Sequence, residues 1–217
     1  MENDKHMLVL GGTQMVGRDF VELCMENNIY PDLANRGLTN KNLFPYLNWI
    51  KLDREDIHKC QLLRNKYYDT IIDFSCYNIN HFLNIIQTVS FHRYIFISTL
   101  AVFGGFEIND PLYSYGQNKK EIENLIISTN IKNVLIFRPC VLYGSNDYTN
   151  RFYEENNIIY WKHNNQRVYP DHFHSHVRNF SKCLLENINF DTSIRSITFY
   201  HDTIETVKNA RSSSYIR

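Results

Sequence analysis

The chain has 217 residues, enough for one domain with a sizeable core. Hydrophobic residues make up 43% and charged residues 21%, which excludes a disordered chain and a coiled coil. Twenty-three Lys and Arg balance twenty-three Asp and Glu, so the basic excess that a duplex-binding protein uses to displace counterions is missing.

Residues 7–11 (MLVLG) read as a first strand, and 16–27 as a helix with Val16, Phe20, Leu23 and Cys24 at helical spacing. Strands follow at 30–35 and 48–53, a short helix at 56–65, a strand at 69–75 and a helix at 80–89. A fifth strand is predicted at 93–99, then a helix at 115–128 with Ile122, Leu125 and Ile126 on one stripe and Lys and Glu opposite. The sixth strand is 133–139. Most strands are continuously apolar or β-branched, as strands covered on both faces are. Strand–helix alternation sustained this long predicts an α/β parallel sheet flanked by helices.

Past Gly144 the character changes. Residues 146–176 read as polar, aromatic and irregular, 179–187 as a helix, 196–200 as a strand, 203–210 as a short helix, and 212–214 as the start of a loose tail. The predicted organisation is a nucleotide-binding core over 1–145 and a small region over 146–217 that covers a substrate and does not fold alone.

The chemistry starts in the first strand–helix turn, GGTQMVG (Gly11 to Gly17). A dinucleotide pyrophosphate needs bare backbone N–H groups and the positive end of a helix, and glycines permit that approach. Gln14 stands where a third glycine would complete the pattern, so its side chain must point away or touch the phosphates itself. The second strand ends in Asn35-Arg36-Gly37, with no acid to grip a ribose 2′-hydroxyl. A base there accommodates the 2′-phosphate, which favours NADP(H) over NAD(H), unless Arg36 is a solvated loop residue. Asp53 ends the third strand, where it either reaches an adenine edge or caps the helix that follows.

Tyr115 and Lys119 are four apart on a helix and therefore share a face. A phenol with an ordinary pKa of about 10 is a poor base at neutral pH, and an adjacent ammonium favours its phenolate. With fifteen tyrosines in the chain the spacing alone is uninformative. Its weight comes from Ser98-Thr99 at the end of the fifth strand, where a hydroxyl either holds a substrate oxygen or merely caps the strand.

Taken together, GGTQMVG, NRG, KLDRED, ISTLAVFGG, YGQNKKEIE, RPCVLYGSND and, more loosely, HVRNFSKCLLE resemble the extended short-chain dehydrogenase/reductases, in their NAD-dependent epimerase/dehydratase branch. The resemblance implies a Rossmann-type doubly wound sheet with a small C-terminal substrate-binding portion, and an enzyme acting on a nucleotide-linked sugar. It implies Thr99, Tyr115 and Lys119 as the catalytic set. The coenzyme set is then Gly11, Thr13, Gln14, Met15, Val16, Gly17, Asn35, Arg36, Asp53, Ser75, Tyr115, Lys119 and Pro139, and the substrate set is Ser98, Arg151 and Arg178. A homodimer through helices 80–89 and 115–128 is also implied. Phe103 stands for a usual Tyr, and Asn179 for a usual Asp. No Asp-Glu pair follows Thr99, which speaks against a dehydratase and leaves a ketoreductase or an epimerase. The chain is shorter than typical relatives, so its substrate cap is abbreviated. The rival reading is a non-catalytic NADP-binding sensor on the same fold, although such proteins tend to lack the Tyr-Lys pair. An RNA-binding relative is disfavoured by the neutral charge.

No apolar run approaches the roughly 18 residues that span a bilayer, and MENDKHMLVLGG lacks the order of a signal peptide. Cys24, Cys60, Cys76, Cys140 and Cys183 are scattered and odd in number, as expected of reduced, mostly buried thiols in a cytoplasmic protein. His172, His174 and His176 alternate and in a strand would share a face, a spacing that can hold a metal. The chemistry expected here needs none, and pocket or surface histidines are the plainer reading. Tyr143, Tyr153, Tyr160, Trp161 and Tyr169 can stack a base or a sugar, or simply pack a small domain. Arg151, Arg167 and Arg178 can grip a diphosphate or remain exposed.

Overall fold

The computed structural model describes residues 6–105, 107–129, 131–144, 146–147 and 175–190, and the backbone of 152–155, 158–161, 167–168, 174, 195–200 and 203–208. Its centre is four strands, β1 (Met7–Leu10), β4 (Tyr67–Asp73), β5 (Ser90–Ile97) and β6 (Val134–Pro139). Every residue of β1 and β6 is buried, which is why their sequences run apolar without alternation. β2 (Asp32–Asn35) and β3 (Trp49–Lys51) extend the sheet one way, and β12 (Arg195–Tyr200) and β13 (Thr203–Lys208) the other. The order is β13-β12-β6-β5-β4-β1-β2-β3, parallel throughout except for the antiparallel β12–β13 pair. The chain leaves β1 for β2 on one side and returns to β4 on the other. That reversal opens a crevice at the carboxyl ends of β1 and β4, where doubly wound folds bind ligands.

Each face of the sheet carries its own apolar layer. On one, Phe20 and Cys24 of α1 (Met15–Glu26) and Phe180 and Leu184 of α5 (Val177–Glu186) join Val9, Ile72, Ile95 and Phe137. On the other, α2 (Ile57–Cys60), α3 (Ile79–Ile86) and α4 (Pro111–Ser128) cover Leu8, Ile71, Phe96 and Ile136 with Cys60, Phe82, Ile85, Ile122 and Ile126. Consecutive residues of a strand, such as Ile71 and Ile72, thus serve opposite layers.

Several expectations need correction. Helix α4 starts at Pro111, a turn before the 115 read from the sequence, because Asp110 caps it, accepting from Leu112 N at 2.8 Å, and Pro111 suits a first-turn position. Residues 203–210, expected as a helix, contain strand β13, since Thr-Ile-Glu-Thr-Val suits a strand and β12 offers an open edge to pair with. The stretch 146–176 is not uniformly irregular: β8 (Phe152–Glu155), β9 (Ile158–Trp161) and β10 (Arg167–Val168) form an antiparallel sheet, and β11 (His174–His176) pairs with β7 (Val141–Tyr143). Helix α5 and strands β12 and β13 lie past residue 145, yet they complete one face and one edge of the main sheet.

All five cysteines are buried and free. Among the described residues no helix is long and apolar enough to cross a membrane, and no cluster of three His, Cys, Asp or Glu side chains can hold a metal.

The Phe180 ring meets Phe137 edge-on, with centroids 5.1 Å apart, and both are fully buried. Phe180→Ala is expected to cost about 3–5 kcal/mol of unfolding free energy. Chemical denaturation checks this, and a loss under about 1 kcal/mol would mean that α5 is not part of the core.

Candidate active site

The crevice is a cleft of about 1230 Å³ whose wall runs from the first turn to the start of α4. Gly11, Thr13, Gln14, Met15, Val16 and Gly17 all line it. Gly11 has φ +87°, and a Cβ there would stand 2.8 Å from Ser75 Cβ. A Cβ on Gly17 would stand 2.3 Å from the Gly11 carbonyl oxygen, so α1 rests directly on the turn that precedes it. Gln14 is extended (φ −134°, ψ 145°), a conformation open to any residue, and this is how the chain tolerates a non-glycine there. The unusual backbone falls one residue later, on Met15 at φ +33°. Gln14 makes no side-chain cap, and the first turn of α1 carries no acid. The N–H groups of that turn have no intrahelical carbonyl to satisfy them, and such groups suit an anion.

At the end of β2, Asn35 and Arg36 both line the cleft, and Arg36 is exposed. Asn35 Oδ1 accepts from Gly37 N at 2.8 Å and from Trp49 Nε1 at 3.1 Å, which leaves Nδ2 buried without a partner. Asp53 also lines the cleft, and of its two readings the cap falls to its neighbour: Asp56 caps α2 by accepting from His58 N at 2.9 Å. Ser75 lies under Gly11 and accepts from Arg54 Nη1 at 3.3 Å.

Arg54 belongs to a network that sequence reasoning missed. Its guanidinium forks onto both oxygens of Asp73, at 2.7 and 2.6 Å, and donates to the His81 carbonyl at 2.9 Å, while Tyr94 Oη donates to Asp73 Oδ2 at 2.5 Å. Burial alone would raise the Asp73 pKa. The Arg54 charge and hydrogen bonds outweigh it and hold the carboxyl below its ordinary value. Glu55 pairs with His81 Nε2 at 2.5 Å on the same side of the cleft.

The opposite end is built by β5 and α4. Thr99 lines the cleft and caps the 3₁₀ turn Leu100–Phe103, its Oγ1 accepting from Ala101 N at 3.3 Å. Helix α4 descends onto that turn at Gly116, where a Cβ would stand 2.4 Å from the Ala101 carbonyl oxygen. This contact brings Tyr115, half-buried, to the same wall as Thr99. Lys119 is 1% exposed, and its Nζ donates to the Ile97 carbonyl at 2.7 Å. Nζ stands 4.8 Å from the ring centre of Phe96, 5.3 Å from that of Tyr77 and 5.8 Å from that of Tyr115. Burial, joined by the Arg54 charge, lowers the Lys119 pKa from 10.5 to about 8, against the charges of Asp73 and Glu123, which raise it. Pro139 closes this end of the cleft. Tyr77, which lines it and faces Lys119, was not foreseen, since nothing in its local sequence marks it.

Of the residues expected to meet a substrate, Ser98 lines the cleft but is only 2% exposed, and its Oγ donates to Glu123 at 2.5 Å. Arg178 does not line the cleft; its guanidinium pairs with Asp19 at 3.2 Å and Glu26 at 3.2 Å, both on α1, because α5 packs beside that helix. Arg151, Tyr169 and His172 lie outside the described residues, as do the side chains of Tyr153, Tyr160, Trp161, Arg167 and His174. Tyr143 meets His176 edge-on at 5.5 Å, a packing contact beside β11.

The sheet order with its reversal at β1 is that of a Rossmann-type fold, and solved structures that share this fold include nucleotide-sugar epimerases, one of them a Thermus thermophilus UDP-glucose 4-epimerase in complex with NAD. Among solved structures, a UDP-N-acetylglucosamine 4-epimerase from Methanobrevibacter ruminantium M1 superimposes with a TM-score of 0.66 over 94% of this chain and 78% of that one, at 16% identity. The UDP-Glc/GlcNAc 4-epimerase of Campylobacter jejuni gives 0.64 over 93% and 80%, at 15% identity. The Helicobacter pylori ADP-L-glycero-D-manno-heptose-6-epimerase gives 0.65 over 95% and 80%, at 12% identity. No protein-family model and no curated protein matches the sequence.

Two outcomes follow from this geometry. Gly116→Ala forces α4 off the Ala101 carbonyl and is expected to cost about 1–3 kcal/mol, measured by thermal unfolding. Ser114→Ala, on an exposed position of the same helix, should stay within about 0.5 kcal/mol. For Lys119, the folded chain releases its proton near pH 8 and the unfolded chain near 10.5. Between those values the unfolded state binds more protons, so stability rises with pH across that window. Lys119→Met should raise stability at pH 7 and abolish that component of the rise, read from denaturation midpoints at several pH values.

Proposed function

We propose that this chain is an NAD(P)-dependent oxidoreductase acting on a hydroxyl or ketone of a nucleotide-linked sugar, as a ketoreductase or an epimerase. The observation that carries the reading is that Thr99, Tyr115 and Lys119 share one cleft with an uncapped helix N-terminus and a glycine turn without room for a Cβ. The fit of a pyridine dinucleotide is tested by that turn. Close approach of bare backbone at Gly11 and Gly17, and free N–H groups at the start of α1, are what a pyrophosphate requires. The cleft, at about 1230 Å³, exceeds the roughly 300–1,000 Å³ of a pocket for one small ligand, which supports a second molecule beside the coenzyme.

On this reading Gly11, Thr13, Gln14 and Gly17 hold the pyrophosphate, Asn35 and Arg36 the adenine ribose, Asp53 the adenine edge, and Tyr115, Lys119 and Pro139 the nicotinamide side. The coenzyme supplies or accepts a hydride when bound. Tyr115 takes the proton from the sugar hydroxyl in oxidation and returns it in reduction. The Lys119 ammonium, held by the Ile97 carbonyl, favours the phenolate. Thr99 orients the reacting oxygen through its hydroxyl. Release of product after one hydride transfer makes the enzyme a ketoreductase, and return of the hydride to the opposite face makes it an epimerase. Leu100 and Ala101 stand where a dehydratase would need acids, so elimination of water is disfavoured. Arg36, exposed at the end of β2 with no acid beside it, favours NADPH.

The experiment is mass spectrometry of the dinucleotide and sugar nucleotide that co-purify with the protein, followed by turnover of that pair. Tyr115→Phe should retain the coenzyme and lose about 10²–10⁴-fold in turnover. Unimpaired turnover in this variant, or failure of both NADPH and NADH to bind, would overturn the reading.

A further inference from the structure

Glu123 and Arg138 form a buried ion pair that the proposed chemistry leaves unused. Glu123 is 4% exposed and Arg138 9%. Arg138 donates from Nε to Glu123 Oε1 at 2.9 Å and from Nη2 to Oε2 at 2.6 Å, and Ser98 Oγ donates to Oε1 at 2.5 Å. On α4, Tyr115, Lys119 and Glu123 follow one another at four-residue steps and share one face. Ser98 precedes Thr99, and Arg138 precedes Pro139. The Arg138 guanidinium also lies 5.3 Å from the ring centre of Phe103, which closes the 3₁₀ turn after Thr99 and lines the cleft.

We propose that Glu123 and Arg138 are positioning residues for the Thr99–Tyr115–Lys119 set, a carboxylate–guanidinium fork that fixes the azimuth of α4 against the ends of β5 and β6. The proposal rests on the oxidoreductase reading. A buried ion pair adds little net stability over apolar residues of the same volume, because desolvation offsets the attraction, so stability alone does not account for this fork. Its geometry does. Gly116 sets how closely α4 approaches the turn, the Lys119–Ile97 hydrogen bond ties it one turn further on, and burial of Ile122 and Ile126 has little preference for small rolls of the helix. A directional anchor two turns from Tyr115 resists such a roll, and a forked pair with a third hydrogen bond is strongly directional. A displacement of about 1 Å at a reacting group can cost about 10²-fold in rate, which is the scale on which such an anchor matters. Glu123 also acts on Lys119 by charge, one of several groups facing that ammonium: Asp73 on β4, Cys76 after it, Arg54 after β3, and the Tyr77 and Tyr115 rings.

The test uses the full chain with NADPH bound and reads the Tyr115 phenol directly, by NMR of tyrosine labelled at Cζ, with Tyr115→Phe assigning the signal. The test variant is the double substitution Glu123→Leu with Arg138→Met, which leaves no unpaired charge behind. It should fold and bind NADPH like the wild type, while the pH at which Tyr115 titrates rises by about one unit, a tenfold loss of phenolate at a given pH. Arg138→Lys keeps a charge opposite Glu123 but loses the fork, and should shift the titration the same way by less. An unshifted Tyr115 titration in a folded double variant, or in Arg138→Lys should the double variant fail to fold, would overturn the positioning role and leave the oxidoreductase reading standing. A wild-type Tyr115 that titrates with the other tyrosines while NADPH is bound would instead overturn the acid–base reading and this proposal with it.

Discussion

The Lys119 ammonium has been carried out of water to the floor of the cleft, and much of the local architecture follows from keeping it charged there. Burial pulls its pKa down to about 8. The charges of Asp73 on β4 and Glu123 on α4 oppose the fall, and the Ile97 carbonyl at 2.7 Å and three aromatic faces within 6 Å surround the ammonium. Those partners come from β4, the loop after it, β5 and α4 itself. The charge is tolerable only when all of these are in register, so the elements that carry Thr99, Tyr77 and Tyr115 are tied together around it.

A row of polar groups continues on both sides of this lysine, under the carboxyl ends of the strands. Arg54, Asp73 and Tyr94 lie on one side, and Ser98, Glu123 and Arg138 on the other. The two apolar layers supply the driving force for folding, and they do so by area, with little preference for small rotations of a helix. Forked guanidinium–carboxylate pairs do have that preference. The division of labour is physical: non-directional burial holds the sheet and helices together, and directional polar contacts set the angles at the end where the cleft opens. The first turn follows the same logic by steric means, since neither Gly11 nor Gly17 leaves room for a side chain, and Met15 takes a positive φ beside them.

The parts of the site that were legible in the sequence are those whose partners are local. The glycine turn announces itself because strand, turn and helix are contiguous, and Tyr115 and Lys119 because their shared helical face follows a hydroxyl pair at the end of the fifth strand. Asp110-Pro111 was an equally local signal, a cap followed by a first-turn proline, and it marks the true start of α4. The Arg54–Asp73 and Glu123–Arg138 pairs were not legible. Their members sit on different elements, and nothing near Arg54 in sequence distinguishes it from a surface arginine. The partners of Ser98 and Arg178 were not legible for the same reason, each lying on a helix distant in sequence.

By itself the amino-acid order determined the alternation of strands and helices, the parallel sheet, the site of the glycine turn and the shared face of Tyr115 and Lys119. Each of these rests on periodicity or on steric rules acting over a few residues. Only the tertiary structure decided that 203–208 is an edge strand, that α5 completes the core, that Arg178 belongs to α1 and not to the cleft, and which buried charges meet. Each depends on an open strand edge, a neighbouring helix face or a countercharge brought from elsewhere in the chain. Contacts of that kind come into being only when the chain closes on itself.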